Sequence, residues 1–253
     1  MFRLLLISLM LIAFSTHAAD ELDALKQDAE QGHAKAQFIL GMAFEKGQGV
    51  PRDGAQAVYW YHKAAEQGNI PAQYNLAVMH FMGEVVPEDS ALAAHWFRQA
   101  AEQGAVHAQH NIGFMFANGI GVSQDSAQAV HWYRQAAEQG AARSQYNLGI
   151  AYESGKGVSH DDVQAVHWFR QAAEQGLVWA QYKLGTLFGH DGTDLEDHVQ
   201  AYAWFTVAAE QGNEPAMEAK EQLAQGLTRV ELAKAQELAR EYLEAYGSAD
   251  KTQ

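Results

Sequence analysis

Apolar and small residues recur along this chain with the spacing of an α-helix. Ala36, Leu40, Gly41 and Phe44 stand at i, i+4, i+5 and i+8, which places them along one side of a helix. Glycine within a helix costs about 1 kcal/mol relative to alanine, so its recurrence predicts that a neighbouring helix approaches too closely for a side chain. The stripe returns in later stretches as Ala72-Leu76-Ala77, Ala108-Ile112-Gly113, Ser144-Leu148-Gly149-Tyr152 and Ala180-Leu184-Gly185-Phe188.

A second helical stripe follows each of these stretches and combines large aromatic residues with alanine. Its first copy comprises Ala57, Trp60, Tyr61, Ala64 and Ala65. Large rings opposed to alanines allow stacked helices to interdigitate, so we interpret the stripe as core rather than as a cofactor site. The other copies are Ala93-Trp96-Phe97-Ala100-Ala101, Ala129-Trp132-Tyr133-Ala136-Ala137, Ala165-Trp168-Phe169-Ala172-Ala173 and Ala201-Trp204-Phe205-Ala208-Ala209.

Each second stripe ends in Ala-Glu-Gln-Gly, a sequence that occurs six times at a spacing of 36 residues. A period of this length is typical of a solenoid built from stacked helix pairs. The glycine of each copy is expected to end the helix and turn the chain into the next unit. These glycines are Gly32, Gly68, Gly104, Gly140, Gly176 and Gly212.

Turn and cap signals separate the two helices of each pair. A Gly-x-Gly-Val turn, as at Gly47–Val50, is expected to close the first helix. The turn at Gly83-Glu84-Val85-Val86 has lost the second glycine. An aspartate follows each turn, and Asp-x-x-Gln predicts that its side chain caps the second helix. These aspartates are Asp53, Asp89, Asp125, Asp161 and Asp197.

The two ends of the repeat region carry signals for terminal helices. Thr228 and Glu231 form a capping-box pattern that predicts a last helix over 228–247, with its apolar face over the end of the stack. The Leu22, Leu25 and Ala29 stripe is expected to cover the opposite end, and residues 248–253 are expected to be loose. That last-helix face comprises Leu232, Ala235, Leu238, Ala239 and Leu243.

Residues 1–19 read as an export signal. Arg3 precedes the apolar run Leu4–Phe14, and small residues then offer cleavage after Ala18 or Ala19. The run is shorter than the roughly 20 residues that a membrane span needs; an uncleaved anchor is the alternative. We therefore expect a periplasmic or secreted protein without stable membrane insertion after cleavage.

Composition excludes several classes of function. The formal charge of −14 argues against nucleic acid and against an anionic membrane surface. The chain has no cysteine, which removes thiol catalysis, disulfides and cysteine-ligated metal. The only Ser-x-x-Lys, Ser248–Lys251, lies in the expected tail, so we predict no enzyme, no cofactor and no metal.

The pattern resembles the Sel-one-like repeat (SLR) family, a branch of the tetratricopeptide-type solenoids. The resemblance rests on Ala-Gln-Tyr-Asn-Leu at 72–76, Leu148–Tyr152, Gly155–Val158, Asp161, Ala165–Phe169 and Ala172–Gly176. It implies an all-α, right-handed α/α superhelical solenoid over 20–227, with about five full repeats and partial terminal units. It also implies an adaptor in which the first helix of each pair lines a concave face, and no catalytic residues.

That implied face directs attention to positions one, two and five residues before each Leu or Ile of the first stripe. They hold an aromatic series beside an asparagine series, which suit binding of a partner's side chains and backbone. The alternative is that the rings pack against the adjacent layer and the amides satisfy local backbone groups. The candidate binding residues are Tyr74, Asn75, His110, Asn111, Tyr146, Asn147, Trp179 and Tyr182.

Three functions remain open at this point. The first is an adaptor of the bacterial cell envelope that binds a protein or peptide segment in the concave groove. The second is a secreted or surface-exposed factor that engages a host protein, and the third is a cell-wall or β-lactam-binding enzyme. His107 and His110 share one helix face, but no further metal ligands are evident. The sequence predicts no oligomeric state.

Overall fold

The fold is entirely helical where the structure, a computed structural model, describes it, over residues 20–190 and 197–247. These ranges contain thirteen helices and no strand, which confirms the predicted all-α class. The predicted export signal at 1–19, residues 191–196 and the predicted tail at 248–253 lie outside the described residues.

The chain divides into two compact units after Gln124. The first unit contains α1 over 20–30, α2 (Ala34–Lys46), α3 (Gly54–Glu66), α4 (Ile70–Met82), α5 (Ser90–Glu102) and α6 (Val106–Asn118). The second contains α7 (Ser126–Glu138), α8 (Ala142–Ser154), α9 (Asp162–Glu174), α10 (Val178–Phe188), α11 (His198–Glu210), α12 (Glu214–Gly226) and α13 (Arg229–Tyr246). Within the two units, the helices from α2 to α6 and from α7 to α12 each pack on the next along the chain, whereas α13 packs on α11.

The core of each unit is formed by the two predicted stripes. The Leu or Ile of the first stripe is buried in all five copies, and it defines the reference position used below: Leu40, Leu76, Ile112, Leu148 and Leu184. Trp60, Trp96, Trp132 and Trp204 of the second stripe are also buried. Trp168 is half-buried, so the tryptophan series is core with one partial exception.

Three glycines of the first stripe lie where a neighbouring ring leaves no room for a side chain. A Cβ added to Gly41 would lie 2.7 Å from Tyr61, and one at Gly149 would lie 2.6 Å from Phe169. At Gly185 the distance to Phe205 would be 2.5 Å. These distances confirm the close helix approach predicted from the recurrence of glycine.

Gly149→Ala is expected to destabilise the second unit although alanine is the better helix former. Overpacking against Phe169 costs about 1–3 kcal/mol, and the gain of about 1 kcal/mol in helix propensity offsets only part of it. Gly226→Ala is the matched control, because nothing lies within 4 Å of an added Cβ there. Thermal unfolding of both variants measures the difference; a raised melting temperature for Gly149→Ala would contradict the close packing.

The predicted helix caps are present. Asp53, Asp161 and Asp197 accept hydrogen bonds of 3.0 Å from the backbone N–H three residues later. Asp89 and Asp125 do the same at 2.9 and 3.0 Å. Thr228 and Glu231 form the full capping box at the start of α13.

The second turn, Gly83–Val86, packs against the start of a second helix as later turns do, although both facing residues differ from theirs. In later repeats a turn glycine lies against the start of a preceding second helix: a Cβ on Gly121 would be 2.0 Å from the Ser90 carbonyl oxygen. Val85 occupies that turn position in the second repeat, and the residue it faces is Gly54 instead of serine. A Cβ on Gly54 would lie 2.2 Å from Val85 Cγ1. The missing turn glycine is therefore matched by a glycine on the facing helix.

A buried glutamine series links successive layers, and sequence reasoning did not identify it. Gln73 is buried and donates its Nε2 to the Ala65 carbonyl at 3.1 Å, while Gln103 of Ala-Glu-Gln-Gly donates to Gln73 Oε1 at 2.8 Å. Gln37 with Gln67, Gln145 with Gln175, and Gln181 with Gln211 repeat the side-chain pair at 2.7 to 2.8 Å. The glutamine of the repeated motif is therefore a structural hydrogen-bond donor.

Terminal helices complete both ends of the described chain. In α1, Leu22 and Leu25 pack against the buried cluster of Ala29, Ala36, Leu40 and Trp60, as predicted. In α13, Ala235 and Ala239 are buried and the helix packs on α11. Tyr242 and Tyr246 add ring contacts to Trp204, which the predicted apolar face did not include.

Candidate binding surface

The eight candidate residues lie on first helices, four in each unit, and the structure gives them unequal roles. The tyrosines are half-buried rather than free. Tyr74 packs edge-on against Phe97 with ring centroids 5.6 Å apart. Tyr146 lies 5.6 Å from Phe169, and Tyr182 lies 5.8 Å from Phe205. Each tyrosine therefore covers the core ring of its own helix pair and exposes only its remaining surface.

Two of the three candidate asparagines hold tyrosines of the preceding helix. The Tyr61 hydroxyl donates to Glu45 at 2.6 Å. Burial, together with this bond, raises the pKa of Tyr61, while a hydrogen bond from Asn75 opposes the rise. Burial raises the pKa of Tyr133 to about 12, and a hydrogen bond from Asn147 again opposes it. Asn75 and Asn147 are thus used inside the fold, which supports the structural alternative at these two positions.

Asn111 is different because the core ring facing it has no hydroxyl. The equivalent of Tyr61 and Tyr133 is here Phe97. Within the parts of the chain that the structure describes, the Asn111 side chain has no hydrogen-bond partner. Its amide can donate and accept, and it borders an open pocket.

That pocket, which we call the α4–α6 pocket, lies in the first unit and has a volume of about 340 Å³. Phe97 and Met115 form its buried floor, whereas Met82 and Phe114 are 56% and 41% exposed. His110 and Asn111 supply its polar groups. Exposed apolar groups gathered around a few polar ones are typical of a binding site. The full lining is Val78, Phe81, Met82, Phe97, His110, Asn111, Phe114 and Met115.

Sequence reasoning missed most of this lining because it examined only positions before the reference residue. Val78 and Phe114 stand two residues after it, and Phe81 stands five after it. On a helix these positions lie about 200° and 140° from the reference residue, which is the side away from the core. Two other repeats carry Glu45 and Glu153 where the second carries Phe81. An aromatic residue at a position that is acidic in two of the other four repeats was the available signal.

In the second unit, Lys183 and Glu153 form an ion pair beside the tyrosines. Lys183 Nζ lies 2.8 Å from Glu153 Oε2, with about a quarter of each side chain exposed. Trp179 is 53% exposed, stands 6.2 Å from Tyr182, and borders a shallow pocket of about 430 Å³ against the start of α12. Trp179 and Tyr182 therefore lie side by side, and Trp179 is the more accessible of the two.

The histidines of the described residues form no metal-binding cluster. His95, His131 and His167 are exposed, and each ring contacts the tryptophan next to it. No group of three or more potential ligands that could hold a metal ion occurs within 20–190 and 197–247. Over the same ranges no helix has the length and apolar character that crossing a membrane requires.

Comparison with known proteins identifies the repeat. A model of the Sel1 repeat family matches residues 34–69, 70–104, 106–140, 142–177 and 180–213. No curated protein matches the sequence. The crystal structure of a protective antigen from uropathogenic Escherichia coli strains, described as displaying an SLR fold, is 39% identical with a TM-score of 0.73. That match covers 88% of this chain but only 48% of the antigen chain.

A second solved relative is a Sel1 repeat protein from Oxalobacter formigenes. It is 32% identical with a TM-score of 0.66, and the match covers 87% of this chain and 67% of that one. Sel1 repeat proteins are generally protein-interaction adaptors. The five matched repeats and both relatives agree with the helix pairs described above, and the chain belongs to the Sel1 repeat family.

Proposed function

We propose that this protein is a non-enzymatic adaptor of the bacterial cell envelope that binds a protein or peptide segment on its first helices. The observation that carries the proposal is the α4–α6 pocket, where Met82 and Phe114 remain exposed beside the unpaired Asn111 amide. Apolar side chains on an accessible face are costly to leave in water unless a partner covers them. The family's general role as interaction adaptor supports this interpretation.

Photo-crosslinking in intact cells tests the adaptor role. A benzophenone amino acid at position 114 places the reactive group at the pocket mouth, and we expect it to capture a discrete protein partner. The matched control is position 163, where valine is 66% exposed on the second helix α9. Equal labelling from both positions, or none from position 114, would contradict binding at this pocket.

Export is the second part of the proposal and has its own test. Cell fractionation is expected to recover the protein outside the cytoplasm, and sequencing of its N-terminus is expected to begin at Ala19 or Asp20. The reason is the apolar run followed by small residues at the end of 1–19. A protein that retains Met1 in the cytoplasm would contradict export, and one that retains Met1 in the membrane fraction would indicate the uncleaved anchor.

A surface-exposed or secreted factor that engages a host protein is the second candidate. The observation in its favour is the 39% identity to a chain described as a protective antigen. Treatment of intact cells with protease separates the two: degradation indicates surface exposure, whereas protection until the outer layer is opened indicates a periplasmic adaptor. The same pocket serves either role.

A further inference from the structure

We propose that the α4–α6 pocket binds one bulky apolar side chain of an extended partner segment that is rich in lysine or arginine. This inference rests on the proposed adaptor function and adds the chemistry of the partner. Three observations carry it: the apolar lining, the charge of the surrounding chain and the unpaired amide at the rim.

The lining fixes the first part of the ligand. Phe81, Phe97 and Phe114 supply aromatic surface, and Met82 and Met115 supply flexible thioether chains that adapt to different apolar shapes. A cavity of about 150 Å³ already holds a benzene molecule, so a pocket of about 340 Å³ accommodates a leucine, methionine or phenylalanine side chain. A charged head placed in this pocket would lose its hydration without a buried partner.

The charge of the surrounding chain fixes the flanks of the ligand. Residues 64–124 contain five carboxylates and a single Lys or Arg, Arg98. The Arg98 guanidinium lies over the Phe116 ring at 5.4 Å. The five carboxylates are Glu66, Glu84, Glu88, Asp89 and Glu102.

Three of the five carboxylates lie in the turn after α4, the helix whose last residues, Phe81 and Met82, line the pocket. Glu84 is two residues beyond Met82. The Asp89 N–H donates to the His80 carbonyl at 2.9 Å, which folds the turn back onto the last residues of α4. Glu84, Glu88 and Asp89 are exposed there and attract cations in the flanks of a ligand.

The amide fixes the conformation of the ligand. Asn111 can donate to a backbone carbonyl and accept from a backbone N–H. These groups are available in an extended segment, whereas a helix uses them internally. The net charge of −14 also disfavours a second copy of this chain as the occupant.

Binding of synthetic peptides tests the inference directly. The probe is a fluorescein-labelled extended peptide in which one leucine is flanked on both sides by alternating lysine and alanine. Two matched peptides replace leucine by serine, or every lysine by glutamate. We expect the first to bind at least tenfold more tightly than either, with an affinity that falls as salt is added.

Two measurements locate the site. Methyl NMR of the methionines is expected to shift Met82 and Met115 on binding, with Met217 of α12 as the unshifted internal control. Phe114→Ala is expected to weaken binding about tenfold, since aromatic contacts dominate such interfaces. Val163→Ala is the control for an exposed apolar residue elsewhere.

The double variant Glu84→Lys with Glu88→Lys tests the flanking charges. It is expected to weaken binding of the lysine peptide and to strengthen binding of the glutamate peptide, whereas Glu138→Lys should change neither.

The outcomes separate this inference from the adaptor proposal. Equal binding of the three peptides would overturn the inference, and so would a Phe114→Ala variant that binds like wild type. If crosslinking at position 114 captures a partner through a neutral or acidic segment, the adaptor role stands and the proposed chemistry is wrong. If the lysine peptide binds at the pocket but cells yield no crosslinked partner, the site chemistry stands and the adaptor role fails.

Discussion

Trp204→Ala is expected to destabilise the second unit by about 3–5 kcal/mol, the usual range for removing a large core aromatic. Trp204 is 1% exposed and lies 4.6 Å from the Tyr242 ring and 5.6 Å from the Tyr246 ring. Its indole N–H has no hydrogen-bond partner within the described chain, so the loss is one of packing. Thermal or urea unfolding monitored by circular dichroism measures it.

Trp179→Ala makes the same chemical change at a site that is 53% exposed. We expect its melting temperature to stay within a degree or two of wild type, since an exposed truncation usually changes stability by less than about 0.5 kcal/mol. Trp204→Phe should lie between the two variants because it keeps a ring but leaves part of the site empty. Equal stability of Trp204→Ala and Trp179→Ala would refute the packing described for α13.

Gln181→Leu is expected to cost about 1–3 kcal/mol although leucine is the more apolar residue. Gln181 is fully buried, donates to the Ala173 carbonyl at 3.2 Å and to the Tyr246 carbonyl at 3.4 Å, and accepts from Gln211 at 2.8 Å. Leucine makes none of these bonds, and it leaves the Gln211 amide facing an apolar group. Urea unfolding gives the free-energy difference.

Gln128→Leu on α7 is the control, because that side chain is exposed. It should change stability by less than about 0.5 kcal/mol. A Gln181→Leu variant as stable as wild type would mean that the recurring glutamine pairs contribute little. The role assigned here to the glutamine of Ala-Glu-Gln-Gly would then be wrong.

The helices could be predicted because their signals are local and repeated. Periodicity placed the two stripes. Cap residues such as Asp53 and Thr228 marked the helix starts, because their side chains bond backbone groups only a few residues away. The glutamine pairs escaped notice because Gln103 and Gln73 are 30 residues apart in sequence. Such a contact becomes visible only when successive layers are stacked.

The candidate surface was predicted only in part for the same physical reason. Sequence position placed Asn75, Asn111 and Asn147 in one series, but the residue that each faces lies on the preceding helix. Tyr61 forms a hydrogen bond with Asn75, and Tyr133 forms one with Asn147. Phe97 has no hydroxyl, so Asn111 has no such partner in the described chain. A series that looks uniform in sequence is therefore uneven in the fold, and the pocket forms where it is uneven.

The facing pair Gly54 and Val85 limits how this array can be edited. Gly54 begins the second helix of one repeat, while Val85 belongs to the turn of the next. If a deletion placed the turn that contains Val85 against Ser90, the branched valine side chain would meet the backbone where Gly121 now lies. Gly54 and Val85 face each other across the junction between two repeats. Both residues must therefore be kept together when repeats are deleted, duplicated or transplanted.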